Sequence, residues 1–99
     1  MKKVRISVYD GLPSSMSRSC DGIKAIELES GDDAVAAIET GAELVFGDTF
    51  AVKETLKSAG LWFVKIGGFA AWARPEIARH IRRIVEVADR HNLTAEVIF

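Results

Sequence analysis

Apolar and polar positions alternate at the start of the chain, where Val4, Ile6 and Val8 are interleaved with Arg5 and Ser7, so a first strand is expected from about Lys3 to Tyr9. Asp10-Gly11, with Pro13 close behind, ends it. The segment Ser14-Ser15-Met16-Ser17-Arg18-Ser19-Cys20 has no periodicity and reads as a polar loop, after which Ile23 to Leu28 forms a second strand. Ser30-Gly31-Asp32-Asp33 is a helix start with the serine as cap, and the helix runs from about Asp32 to Thr40, stopped by Gly41.

From Gly41 to Gly68 the pattern is strand, turn, helix, turn, strand. Glu43 to Phe46 is a short apolar run that ends at Gly47-Asp48, Val52, Leu56 and Ala59 recur at helical spacing, and Leu61 to Ile66 is a second apolar run closed by Gly67-Gly68. Asp48 or Thr49 is placed to cap the helix, and Gly60 to end it. Gly67 to Ala73 reads as a loop carrying Phe69 and Trp72. Pro75 then opens a long helix whose inner stripe is Ile77, Ile81, Ile84, Val85 and Ala88, with Arg79, Arg82, Arg83, Glu86 and Arg90 outward and Arg82–Glu86 and Glu86–Arg90 at pairing distance. Thr94 to Phe99 supplies a fifth strand.

Apolar runs joined through a helix are characteristic of parallel strands covered on both faces. The expected fold is therefore a single α/β domain over residues 1–99, with a small, mostly parallel sheet of four to five strands flanked by helices in the Rossmann or flavodoxin manner. A right-handed crossover between the first two strands gives the order 2-1-3-4 with the fifth at the edge; without one, those two strands pair antiparallel.

Composition narrows the class. The chain has 99 residues, 48% hydrophobic and 27% charged, as in an ordinary globular domain. A formal net charge of −1 gives no reason to expect nucleic acid or an anionic membrane as partner. The amino terminus alternates instead of running apolar, no stretch approaches a membrane span, and the single cysteine, Cys20, fits a reducing compartment, so a cytoplasmic protein is expected.

Ligands of parallel sheets sit beyond the carboxyl ends of the strands, which points to Asp10, Gly47-Asp48-Thr49 and Gly67-Gly68. The Gly47-Asp48-Thr49 turn offers backbone N–H groups to an anion, or else Asp48 only caps a helix. Ser14 and Ser15, with Ser17 and Arg18, are candidates to cradle a phosphate or carboxylate, or are simply a solvated loop. Trp72 and Phe69 cover a pocket or belong to the core. Asp10 with Asp48, and Lys65 nearby, is the best catalytic set, but Asp10 is followed by glycine where phospho-acceptor receiver domains carry a second acid. No serine elbow, phosphate loop, dinucleotide fingerprint or metal-ligand spacing is present in the sequence, and no cofactor is expected.

From about Ser30 to Asn92 the chain resembles the second α/β lobe of the amino-terminal sensor region of PrpR-type propionate-catabolism activators. The residues that carry the resemblance are Gly41-Ala42-Glu43-Leu44-Val45-Phe46-Gly47-Asp48-Thr49, Val52, Ala59-Gly60-Leu61 and the strand to Ile66 with its glycines, followed by the long helix. Two departures stand out: a serine-rich loop where the family lobe has a helix, and an insertion from Phe69 to Arg74. The resemblance implies a ligand-sensing regulatory role, as the effector-binding part of a transcriptional regulator; the family's sensor region is built from two such lobes clasping a small effector, so a complete site needs a second chain or further domains. The expected partners are a small anionic or carboxylate effector and a second copy of the chain in a homodimer. Two other classes stay open: a small enzyme or phosphoryl-carrier domain using Asp48, and a protein-interaction module using the Phe69/Trp72 segment and strand addition at Thr94 to Phe99.

Overall fold

A computed structural model describes residues 2–8 and 19–99. In chain order the elements are β1 (Lys2–Val8), β2 (Ser19–Leu28), α1 (Ala34–Glu39), β3 (Leu44–Gly47), a 3-10 turn (Phe50–Val52), α2 (Lys53–Ser58), β4 (Trp62–Ile66), β5 (Phe69–Ala73), α3 (Pro75–Arg90) and β6 (Ala95–Ile98).

The six strands form one sheet in the order β4-β5-β3-β2-β1-β6. β1 and β2 are antiparallel, with Lys2 opposite Ala25 and an irregularity in register between Val4 and Ile6. β2 and β3 are parallel, Ala25 lying opposite Leu44 and Leu28 opposite Gly47. Every other pairing among the described strands is antiparallel. The sheet curls into a half-barrel so that its edge strands β4 and β6 touch, and α3 lies in the concave face.

This corrects the expectation of a mostly parallel, Rossmann-like sheet, and the cause is local. Gly67 and Gly68 do not mark the carboxyl edge of a parallel strand; they are the two-residue turn of a hairpin, with Ile66 paired to Phe69 and Gly67 at φ +60°. Phe69–Ala73, expected as a loop, is β5. Its sequence Phe-Ala-Ala-Trp-Ala shows no polar alternation, yet it alternates in facing: Phe69, Ala71 and Ala73 pack into the core under α3, while Trp72 packs on the opposite face. β5 takes the place beside β3, and β4 is displaced to the sheet edge. The fifth expected strand is present as β6, antiparallel to β1 at the other edge.

Two cores result. The larger lies between the concave face and α3, where Ile6, Ile23, Leu44, Ile81 and Ile84 are completely or almost completely buried. The smaller packs Leu28 and Val45 against Ala34, Ala37, Leu56 and Leu61, covering the opposite face with α1 and α2. Burying an aliphatic side chain of this size contributes about 1.5–3 kcal/mol. The first helix is capped by Asp33, whose carboxylate accepts from the N–H groups of Val35 (2.9 Å) and Ala36 (3.4 Å), and not by Ser30 as expected; Asp32 instead accepts from the N–H of Glu29 at 2.7 Å.

Helix α3 begins at Pro75 as expected, and Arg74 ties its start to β3 through its backbone N–H to the Glu43 carbonyl and its side-chain Nε to the Ala42 carbonyl, both at 3.1 Å. It ends in a Schellman motif: Asn92 adopts φ +55°, its N–H donates to the Asp89 carbonyl at 3.2 Å, and the Leu93 N–H donates to the Ala88 carbonyl at 2.8 Å. No helix among the described residues is long and apolar enough to cross a membrane.

Candidate functional site

The end of α2 sets the entry to β4. Gly60, at φ +88°, donates its N–H to the Lys57 carbonyl (3.0 Å), and Leu61 donates to the Leu56 carbonyl (3.1 Å), a second Schellman motif. Leu61 and Leu56 are thereby buried together, Lys57 stays exposed on the last helical turn, and the chain leaves as a strand at Trp62.

Successive side chains of β4 then point to opposite faces. Trp62 packs against the α3 core, and both Arg79 and Arg82, one helical turn apart on α3, stack over its ring at 5.2 and 5.1 Å from guanidinium carbon to ring centroid. Phe63 points the other way, opposite Trp72 of β5, and the two rings meet edge to face with centroids 5.4 Å apart. Arg82 also reaches the strand itself, its Nη2 donating to the Phe63 carbonyl at 3.0 Å.

Between these groups lies an open groove of about 490 Å³, lined by Lys57, Gly60 and Leu61 from the α2 end, Trp62 and Phe63 of β4, Trp72 of β5 and Arg82 of α3. Its size falls within the roughly 300–1,000 Å³ of small-molecule sites. Three of its seven lining residues, Trp62, Phe63 and Trp72, are aromatic. Both charged groups that line it are cations, and no carboxylate among the described residues does so, which makes it electrostatically suited to an anion.

Of the residues expected to form a site, Trp72 lines this groove, half-buried. Asp10, Ser14 and Ser15 lie outside the described residues. Gly47, Asp48 and Thr49 sit at the carboxyl end of the β2–β3 parallel pair, but their backbone is committed internally: the Asp48 N–H donates to the Leu28 carbonyl at 2.8 Å and the Thr49 N–H to the Gly47 carbonyl at 2.9 Å. Neither the 3-10 turn that follows nor α2 receives a side-chain cap, so the capping role expected of Asp48 or Thr49 is not seen, and Asp48 is exposed. Gly67 and Gly68 form the hairpin turn, where a Cβ on Gly67 would come within 3.8 Å of the Thr94 methyl group.

Lys65 is exposed on β4. Phe69, expected beside Trp72, is on the other face, where it meets Phe46 and Phe99 at centroid distances of 5.2 and 6.0 Å and closes the α3 side of the sheet. The pairing expected between Glu86 and Arg90 is present, whereas Arg82 turns to β4.

Lys57, Trp62, Phe63 and Arg82 escaped sequence reasoning. The Trp62-Phe63 doublet was the available signal: neighbouring residues of a strand face opposite sides, so two large aromatics in succession cannot both enter the same core. A second hollow, about 280 Å³, is lined by Ile26 and Leu28 with Asp32 and Asp33, but both carboxylates there are occupied in holding the start of α1. Burial, with the Glu43 and Asp21 carboxylates nearby, pushes the Cys20 thiol above its ordinary range, which suits a packed core thiol and not a nucleophile. No group of three or more metal-ligating side chains occurs among the described residues. Comparison of the chain with family models, with curated proteins and with solved structures finds no match.

Proposed function

We propose that this chain is a small-molecule-sensing domain, the effector-binding part of a regulator, and that its effector is a small anion bound in the groove at the β4 edge. The observation that carries the reading is the composition of that groove: aromatic walls with Lys57 and Arg82 as its charged groups, at a volume suited to a metabolite. The role is the one that the sequence resemblance implies, and the location is new. It moves the site from the Gly47 and Gly67 turns to the edge of the sheet.

A thermal-denaturation screen against aliphatic and aromatic carboxylates, inorganic phosphate and sugar phosphates tests this directly. A ligand at 100 times its dissociation constant stabilises the fold by about 2.7 kcal/mol. At about 4–8 °C per kcal/mol for a domain of this size, the midpoint rises by roughly 10–20 °C. A set of anions that leaves the midpoint unmoved at millimolar concentration refutes the reading.

A second reading, a protein-interaction module working by strand addition, is favoured by one feature: β6 is an edge strand, and Ile98 and the adjoining Phe99 are 45% and 62% exposed. It predicts a melting temperature that depends on protein concentration and not on small anions.

A further inference from the structure

We infer that the ligand of the β4-edge groove is an aromatic carboxylate, its ring held against Phe63 and Trp72 and its carboxylate held by Arg82. The inference rests on the anion-sensing reading above and names the class of anion.

Three features of the groove select this class. The first is the aromatic pair. Phe63 and Trp72 meet edge to face, an arrangement to which a third aromatic ring adds by the same quadrupole geometry, whereas a saturated ring gains only buried area. Both residues stand on paired, register-fixed strands, so the wall is preformed.

The second is the state of Arg82. Its guanidinium lies over Trp62 and gives one N–H to the Phe63 carbonyl, which fixes the plane of the fork. A guanidinium has five N–H donors, and a fork fixed in this way suits the flat, bidentate geometry of a carboxylate. The third is the helix terminus. The groove is bordered by the carboxyl end of α2 at Lys57 and Gly60, where backbone carbonyls gather, and among the described residues no helix amino terminus lines it to supply the N–H groups that favour a phosphate dianion. A singly charged carboxylate tolerates that border better than a dianion does.

Isothermal titration calorimetry of the full chain with four probes tests the inference: 2-naphthoate, its fully saturated ring analogue, the neutral 2-naphthamide, and inorganic phosphate. The expected result is saturable binding of 2-naphthoate, about tenfold or more tighter than each of the other three. Arg82→Gln, which gives up the hydrogen bond to the Phe63 carbonyl and the contact with Trp62, is expected to stay folded with a melting temperature lowered by about 4–8 °C, to weaken 2-naphthoate about tenfold and to leave the amide unchanged. Trp72→Leu weakens both naphthalene probes. Equal binding of the saturated acid, of phosphate or of the amide overturns the aromatic carboxylate assignment while leaving a small-molecule site in place. Failure of all four to bind, with the wider anion screen also silent, overturns the sensing reading as well. Binding of 2-naphthoate that survives both substitutions unchanged places the site elsewhere and refutes the inference.

Discussion

Gly47→Ala is the substitution on which the reading of the β2–β3 corner depends. Gly47 closes β3 at φ +89°, and a Cβ built there would stand 2.5 Å from the Leu28 carbonyl oxygen, 3.0 Å from Glu27 Cγ and 3.2 Å from the Leu28 nitrogen. Two costs follow. A left-handed backbone costs an alanine about 1–2 kcal/mol. The contact with Leu28 is with backbone, which cannot rotate aside, so β3 has to move away from β2, straining or breaking the 2.8 Å bond from the Asp48 N–H to that same carbonyl. Overpacking of this kind costs about 1–3 kcal/mol, and a hydrogen bond about 1 kcal/mol.

Gly41→Ala is the control, because Gly41 has φ +90° with nothing within 4 Å of its would-be Cβ. Both substitutions reduce the entropy of the unfolded chain equally, so that term cancels. Gly41→Ala is expected to cost about 1–2 kcal/mol and Gly47→Ala roughly 3–5 kcal/mol. The difference should separate the melting midpoints by about 10–20 °C. Urea denaturation of the two variants, with unchanged m-values, gives the same comparison at 25 °C. If the two losses agree within about 0.5 kcal/mol, the close approach of β3 to the Leu28 carbonyl is wrong, and the one parallel pairing among the described strands is in doubt with it.

Ile81→Ala, at a fully buried position on α3, is expected to lower stability by about 2–5 kcal/mol in urea denaturation, a loss comparable to that of Gly47→Ala. Asp33→Ala removes the cap of α1 and should cost about 1 kcal/mol. Asp48→Asn, at an exposed side chain, should change stability by less than about 0.5 kcal/mol, and a larger loss would show that Asp48 does cap a helix. Cys20 should react with an aromatic disulfide much more slowly in the folded chain than in urea. Its folded-state pKa is raised, so the folded state holds the thiol proton where the unfolded state has lost it. Stability therefore falls as pH rises above the ordinary thiol value and levels off above the folded one, and replacing Cys20 with alanine should flatten that part of the stability profile.

The helices were legible because their signals are local. Pro75, the stripe through Ile81, Ile84 and Ala88, and the glycines at positions 41 and 60 act within a turn or two of where they stand. The sheet was not, since strand order depends on which segments meet across the chain. Leu44–Phe46 reads as a parallel strand because both its faces are covered, and it is parallel to β2, yet it is antiparallel to β5 on its other side; α3 on one face and α1 with α2 on the other cover a sheet that is mostly antiparallel. β5 was hidden for a different reason. Its three alanines are poor strand formers, and they lie in a strand because Phe69 and Trp72 pack on opposite faces and Ala71 and Ala73 fill the space beneath α3. Trp72 could be named as a candidate from its type alone, and the Trp62-Phe63 doublet carried a signal of its own, but Lys57 and Arg82 could not be named, since a groove at a sheet edge is visible only once the edge strand is known.

The hairpin at Gly67-Gly68 thus accounts for both the sheet order and the candidate site. Had the chain crossed over through a helix after Ile66, β4 could have paired directly with β3 inside the sheet, with Trp62 and Phe63 covered by neighbours. Because the chain turns back in two residues, β5 takes that place and β4 becomes an edge, with no strand among the described residues paired on its outer side. Unpaired edges invite pairing with other chains, and a charged side chain laid on the edge is a common defence. Arg82 fills that role by donating to the Phe63 carbonyl, and it stands where it does because α3, seated in the concave face, presents Arg79 and Arg82 to Trp62. The same side chain that blunts the edge supplies the cation of the groove. A solvated arginine on an outward helix face would do neither, so the contact of Arg82 with β4, and not the charge of the helix as a whole, makes this surface specific.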